Sequence, residues 1–368
     1  MFYTEIVFFA VIGLQFIYLL LFLIAFARGQ RSLSTSVEPT PVSVVVCAHD
    51  EHENLQELVP QILSQAYPSF EVIVVDDRSN DATRDWLLEE TKKDSRLRMV
   101  HVDHTPEHIN GKKYALTLGI RAAVNEWIVL TDSDCRPTST EWLQALSQRF
   151  SEDTQFVLGY SPYKKSSGWL NRFIRFDALL SGIQYLGFAL LKIPYMGVGR
   201  NLAYRKSLFM ETKGFTNMLS FTGGDDDLFV NKHATAKNTD VALGAEALMV
   251  SIPKTTLREF YHQKIRHLAA GKSYKFSHRL LLGLFMVSWL LIWPMGSTLL
   301  FLSNNLLLIG GLLLGRLVLM SLTFYIAQKR LGEQFEIWSL FVLDIIYSIY
   351  YLTTRTAALL TKKIRWKN

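Results

Sequence analysis

Long, almost uncharged apolar runs stand at both ends of this chain, and that partition limits the fold to a water-soluble middle held between membrane segments. Ile6 to Ala27 is long enough to cross a bilayer and is followed by Arg28 and Arg31. It reads as a retained anchor rather than a cleaved leader, because its first residues carry Glu5 and no base, and no small-x-small site closes the run. Basic residues after a span mark the cytoplasmic side, so the middle of the chain is expected in the cytoplasm of a multi-pass cell-membrane protein. Leu280 to Leu302 and Leu306 to Ala327, joined by Ser303-Asn304-Asn305, read as a transmembrane hairpin returning to basic Gln328-Lys329-Arg330. A third C-terminal stretch, Phe335 to Leu360, carries Asp344, and a crossing would put Lys362, Lys363, Arg365 and Lys367 on the wrong side. The residues leave open whether it spans or lies along the interface. Arg316 is costly in lipid and needs a partner, for which Asp344 is a candidate.

The chain has a net charge of +6, and its bases cluster beside the apolar runs, where anionic headgroups account for them without any nucleic acid partner. Cys47 and Cys135 are the only cysteines, which rules out a disulfide framework.

Residues 40–275 form the soluble part, in which strand and helix patterns alternate. Val42–Cys47, Glu71–Val75, Leu97–Val102 and Trp127–Thr131 are strand-like, and Glu53–Gln65, Thr83–Lys92 and Lys112–Val124 are helix-like. Such βαβ order implies an α/β fold with a mainly parallel sheet, whose ligands bind at the carboxyl ends of the strands. Asp76-Asp77 and Asp132-Ser133-Asp134 both fall at such ends. In extended backbone alternate side chains share a face, so Asp132 and Asp134 can meet one hard cation, which in turn can clamp a diphosphate.

Five motifs then occur in series: Val44-Val45-Val46-Cys47-Ala48-His49-Asp50-Glu51, Gln65-Ala66-Tyr67-Pro68, Val74 to Thr83, Gly111-Lys112-Lys113-Tyr114-Ala115-Leu116 and Thr131-Asp132-Ser133-Asp134. In content, order and spacing they resemble a family 2 glycosyltransferase with a Rossmann-like GT-A fold, in its membrane-anchored branch. The likeness extends through Gly197 to Arg205, Gly223-Gly224-Asp225-Asp226-Asp227-Leu228 and Gln263-Lys264-Ile265-Arg266-His267.

The resemblance implies transfer of a sugar, with inversion, from a nucleotide-diphosphate-sugar to a hydroxyl acceptor, in cell-envelope glycan or glycolipid synthesis. The expected donor is a UDP-sugar and the acceptor a lipid-linked or growing glycan. A divalent metal, Mg2+ or Mn2+, is expected on Asp134 assisted by Asp132, where it would neutralise the departing diphosphate. Asp225 is the expected base, with Asp226 as its rival. Three adjacent carboxylates raise one another's pKa, which suits a base, although acids also favour the start of the helix at Leu228. By the same resemblance Ala48 and Glu51 border the base and ribose, Asp77 or Asp76 contacts them, Lys112 lies near the nucleotide, and Gly199-Arg200-Asn201 borders the acceptor. Gln263 is expected at the acceptor and Arg266 on the diphosphate. His267 stands where processive members carry tryptophan, which favours single transfer over a processive polysaccharide synthase. Gly168 to Phe176 mixes aromatic and basic residues and reads either as an interfacial segment guiding a lipid acceptor or as a core helix. A nucleotide-binding pseudoenzyme, a nucleotidyltransferase and a transporter fit the residues less well.

Overall fold

The computed structural model of the chain describes residues 2–28, 39–107, 109–216 and 224–360. Arg31, Gly223 and the basic tail over 362–368 lie outside the described residues.

The chain begins with helix α1 (Phe2–Ala27). The middle then runs β1 (Val42–Ala48), α2 (His52–Leu63), β2 (Phe70–Asp77), α3 (Thr83–Lys93), β3 (Leu97–Val102), α4 (Gly111–Ala122) and β4 (Trp127–Asp132). These bounds lie within about two residues of the sequence expectation, the usual scatter at element ends. Next come β5 (Cys135–Pro137), α5 (Trp142–Ser147), β6 (Phe156–Leu158), α6 (Trp169–Leu190), β7 (Leu202–Arg205), α7 (Lys206–Glu211), α8 (Asp227–His233), β8 (Thr239–Val241), β9 (Met249–Ser251) and α9 (Leu257–Ala270). Helices α10 (Phe276–Leu302), α11 (Leu306–Leu331) and α12 (Leu340–Leu360) end the described chain.

The seven-stranded sheet has the order β3-β2-β1-β4-β7-β6-β8. Its first four strands are parallel, whereas β7 runs antiparallel to both β4 and β6. Register places Cys47 beside Asp132 and Ala48 beside Asp76, so the acidic strand ends share one edge. A two-stranded sheet pairs Cys135 of β5 with Ser251 of β9, tying the turn after Asp134 to a segment far along the chain.

Alternation along the strands divides the interior. Val44, Val46, Val72 and Val74 pack toward α2 and α5. Val45, Ile73 and Val75 face the other way, into a core shared with α4, α6 and the long apolar helices at the two ends of the chain. On that side α4 lies so close to the sheet that a Cβ at Gly119 would come within 2.7 Å of the Val45 and Val75 side chains. The end of α1 enters the same core, with Phe22 edge-on to Phe188 of α6 at 5.0 Å and Tyr18 edge-on to Phe285 of α10 at 5.1 Å. The sheet domain and the long apolar helices therefore share one interior.

Helices α1, α6, α10, α11 and the segment Ile337–Leu360 are all long and apolar enough to cross a membrane. Burial separates them: α6 is enclosed by protein over 83% of its apolar window, against 28–39% for α1, α10 and α11. So the Gly168–Phe176 stretch belongs to a core helix. Only its beginning is open, where Arg172 lies 4.7 Å from the rings of both exposed Trp169 and exposed Trp338.

Both ends of the α12 segment are fastened to the soluble domain. Before it, Glu336 accepts from Arg175 at 2.9 Å, and near its end Thr353 and Leu359 carbonyls accept from Tyr261 and Lys272. Arg355 donates to the Leu268 carbonyl at 3.1 Å. A helix of 21 residues spans ~30 Å, and a crossing would carry one end that far from the domain. Deep in the bundle Arg316 donates to both oxygens of Asp344, which also accepts from Trp293 at 2.8 Å.

Candidate functional site

A cavity of about 1320 Å3 opens at the acidic edge of the sheet. Asp132, at the last position of β4, and Lys112, in the first turn of α4, meet there at 2.9 Å. Lys112 also lies 3.5 Å from Asp225, so one ammonium joins loops more than ninety residues apart. Burial pushes the Asp132 carboxyl up, but Lys112 more than offsets this and holds it below the usual range. Asp134 has no such cation among the described residues. Burial and the neighbouring Asp132 raise it, and among those residues its side chain meets only the weak Cys135 thiol donor, at 3.5 Å.

The three aspartates after Gly224 differ in what they bind. Gly224 has φ +82°, and a Cβ there would strike Leu228 at 2.5 Å, so the turn demands glycine. Asp226 caps α8, accepting from the Asp227 N–H at 2.7 Å and from the Gly199 N–H at 2.6 Å. Asp227 accepts from the Leu228 N–H and from the Tyr274 hydroxyl, both at 2.7 Å. Burial and the adjacent carboxylates push Asp226 up to about 6 and Asp227 up to about 8. All three line the cavity, but Asp225 alone of them is paired with Lys112.

Helix α9, capped by Thr256, supplies the opposite wall. Gln263 and Arg266 both line the cavity, one helical turn apart. The Gln263 side-chain oxygen and one Arg200 terminal nitrogen are buried without a hydrogen-bond partner among the described residues. Such groups carry an unmet cost that a ligand would relieve. Arg200 lies over the Tyr163 ring at 4.6 Å. Lys264 faces away from Arg266, into Asp177 of α6 at 2.5 Å.

The donor set fits a divalent cation. No group of three or more metal-ligating side chains stands together among the described residues. Asp132 and Asp134 nonetheless share a partly buried edge, and Mg2+-like ions characteristically take one or two carboxylates with the rest of their shell from phosphate and water.

Of the residues singled out in the sequence, Glu51, Lys112, Asp132, Asp134, Asp225, Asp226, Gln263 and Arg266 line one cavity. Ala48, Asp76 and Asp77 do not. They are fully or almost fully buried. Asp76 accepts from the Ser79 N–H at 3.2 Å and pairs with His101 at 2.7 Å, and Asp77 holds Arg78 at 2.8 Å. β2 lies one strand farther from β4 than β1 does, so its acids order the following loop while Cys47 and His49 of the β1 end face the cavity. Asn201 likewise turns inward, bonded to Trp142 and to the carbonyls of Tyr160 and Ala247. Asp177 escaped the sequence reading, although an acid in an otherwise apolar helix was a usable signal.

Residues 43–212 match the model of the family described as glycosyl transferase family 2. Among curated proteins, glycosyltransferase GlyG of Streptococcus pneumoniae is 33% identical over 34% of this chain and 41% of its own length. TuaG of Bacillus subtilis, a glycosyltransferase named for teichuronic acid biosynthesis, is 27% identical over 36% of this chain and 52% of its own. The chain thus matches about half or less of these relatives. Among solved structures, the mannosyltransferase PcManGT of Pyrobaculum calidifontis, in complex with GDP-Man and Mn2+, superposes with a TM-score of 0.58 at 16% identity. That superposition covers 98% of this chain and all of the other, and it shows a common fold.

Proposed function

This chain belongs to glycosyltransferase family 2 by way of its domain over residues 43–212, and from that premise we propose that it is a membrane-bound, inverting, metal-dependent enzyme. It transfers one sugar from a nucleotide-diphosphate-sugar to an acceptor hydroxyl in cell-envelope glycan or glycolipid synthesis. The observation that carries this reading is Asp225, a cavity-facing carboxylate set against Lys112 and Asp132 at the mouth of a parallel sheet. Asp226 and Asp227 are engaged by backbone and tyrosine, which leaves Asp225 to accept the acceptor's proton.

The acceptor O–H gives that proton to Asp225 as its oxygen bonds to the anomeric carbon. The bond from that carbon to the diphosphate breaks on the opposite face, and the nucleoside diphosphate departs with the electron pair. A divalent cation, held by Asp132 and Asp134, would supply charge neutralisation to the leaving group. Arg200 and Arg266 add fixed positive charge to the cavity, Lys112 orients both acids, and Gln263 offers its unpaired oxygen to an acceptor hydroxyl. His267, lacking an indole, supports single transfer.

In this reading α1, α10 and α11 cross the membrane, α12 packs its Asp344 end among them and returns to the domain without crossing, and the catalytic domain lies on the cytoplasmic side. The test is a panel of UDP- and GDP-sugars given to the purified full chain in detergent, with Mg2+, Mn2+ or a chelator. Metal-dependent release of nucleoside diphosphate with one donor is expected. Silence with every donor would leave a protein that only binds nucleotide.

A further inference from the structure

Helix α9 carries Gln263 and Arg266 into the cavity, yet little of it is anchored in the interior. Of its 14 residues only Phe260 and Lys264 are buried, and at i and i+4 they share one face. Phe260 meets Phe173 of α6 edge-on at 6.1 Å and stacks on Tyr350 of α12 at 5.5 Å. Flat rings packed in this way tolerate a helix that slides or turns a little. Lys264 does not, because its ammonium must reach the Asp177 carboxylate of α6, 2.5 Å away, and both residues are more than nine-tenths buried. An apolar side chain at this position would dock the helix as firmly. Buried ion pairs add little net stability over an apolar pair of similar volume, and their best-attested use is to fix register. Here the reference point is rigid. α6 is a core helix, and its Tyr185 donates to the Gly159 carbonyl just after β6 at 2.7 Å, so Asp177 keeps a fixed place relative to the sheet and to Asp132 at the end of β4. The ties of α9 through Tyr261 and Arg355 run instead to α12. A slip of one residue along α9 would shift its side chains by ~1.5 Å and turn them by ~100°.

Resting on the glycosyltransferase reading, we propose that Asp177 and Lys264 are positioning residues for transfer. The pair fixes the register of α9 against the sheet, and so sets Arg266 and the unpaired Gln263 oxygen in the cavity they share with Asp132 and Asp225. The two charges satisfy each other, and the pair acts on the substrate only through the helix it holds. Displacing a reacting or binding group by ~1 Å is enough to cost about 100-fold in rate.

The test replaces the pair by apolar residues, Asp177→Leu together with Lys264→Met, in the full chain in nonionic detergent. The melting temperature is expected to equal or exceed the parent's, while kcat/KM for transfer from the donor that the parent accepts falls about 100-fold. A merely structural pair would lose both or neither. In a background already carrying Arg266→Ala, the same replacement should cost less than about tenfold, because its effect runs through α9. Asp177→Asn keeps an acceptor for Lys264 but removes the charge. It should cost about tenfold in kcat/KM, and it decides the matter if the apolar pair does not fold. The register is also read without any donor: Gln263→Cys and Arg266→Cys, alkylated with a maleimide and followed by peptide mass spectrometry, should change rate severalfold when the pair is made apolar or Asp177→Asn is added. Full transfer by the folded apolar pair, or by Asp177→Asn if that pair does not fold, overturns the proposal. So does an undiminished loss in the Arg266→Ala background, or alkylation rates that stay unchanged. A parent protein silent with every donor sinks the transferase reading alone, and the alkylation rates then decide the register.

Discussion

Two buried clusters in this protein use the same ingredients to opposite ends. In the bundle of long apolar helices, Arg316 meets Asp344 with two hydrogen bonds, Gln15 accepts from it at 3.3 Å, Trp293 donates to Asp344 at 2.8 Å, and the Trp289 ring lies 4.7 Å from the guanidinium, whose Nε alone finds no partner among the described residues. Acid and base balance there, and both side chains are wholly closed off. In the cavity one ammonium, Lys112, serves Asp132 and Asp225 together, and among the described residues Asp134 has no cation on it and Arg200 and Gln263 keep unmet polar atoms. A balanced cluster holds helices together. An unbalanced one is waiting for something to complete it, and the direction of imbalance, clustered carboxylates facing bases across a gap, suits a metal with a diphosphate.

The contrast can be broken at several points. Asp225→Asn should lower the rate of transfer by about two to four orders of magnitude, the usual worth of a general base, with donor affinity unchanged. Steady-state kinetics beside nucleotide-sugar binding would show it, and full activity would move the base to Asp226. Arg316→Met should cost about 3–5 kcal/mol in detergent unfolding, because it strands the buried Asp344 carboxylate. Adding Asp344→Leu should recover most of that loss, whereas in an unbalanced site a second deletion would compound the first. Asp134→Asn should reduce metal-supported donor affinity by at least about tenfold, since disturbing even supporting groups at a metal site costs that much. In the presence of a chelator it should bind donor no differently from the parent protein.

The smallest effect concerns pH. Asp226 and Asp227 are raised in the fold, to about 6 and about 8, by burial and by one another. A raised carboxyl contributes stability that is fully present below the unfolded value, about 4, and is lost as pH climbs through the folded one. The melting temperature of Asp227→Asn should therefore gain on that of the parent, by a few degrees, as pH rises from about 5 to about 9. A constant difference across that range would mean that Asp227 does not hold its proton in the fold.

How far the fold could be read in advance depended on how local its causes were. β1, β2 and β4 announce themselves through β-branched runs, and α4 through its pattern, because these signals lie within a few neighbouring residues. β6, β8 and β9, at three residues each, carry no such signal and exist only through their partners. The candidate site divided in the same way. Motif order singled out Lys112, Asp132, Asp134, Asp225, Gln263 and Arg266, which line one cavity, but it also nominated Asp76 and Asp77, which turn into the loop behind it. An acidic pair at a strand end reads the same whether its side chains face a cavity or cap their own loop. Only the position of the neighbouring strand tells the two apart.

By itself the sequence determined an α/β domain matching glycosyltransferase family 2 over residues 43–212, flanked by apolar segments long enough to span a membrane, because segment length, charge beside the segments and motif spacing are properties of the chain. Tertiary structure decided the rest. It showed that α6, apolar enough to span, is core, that α12 stays fastened to the domain at both ends, and that Asp225 alone of its triplet faces Lys112. The reason is that burial and pairing belong to neighbours brought together by folding, and one stretch of residues does not contain its neighbours.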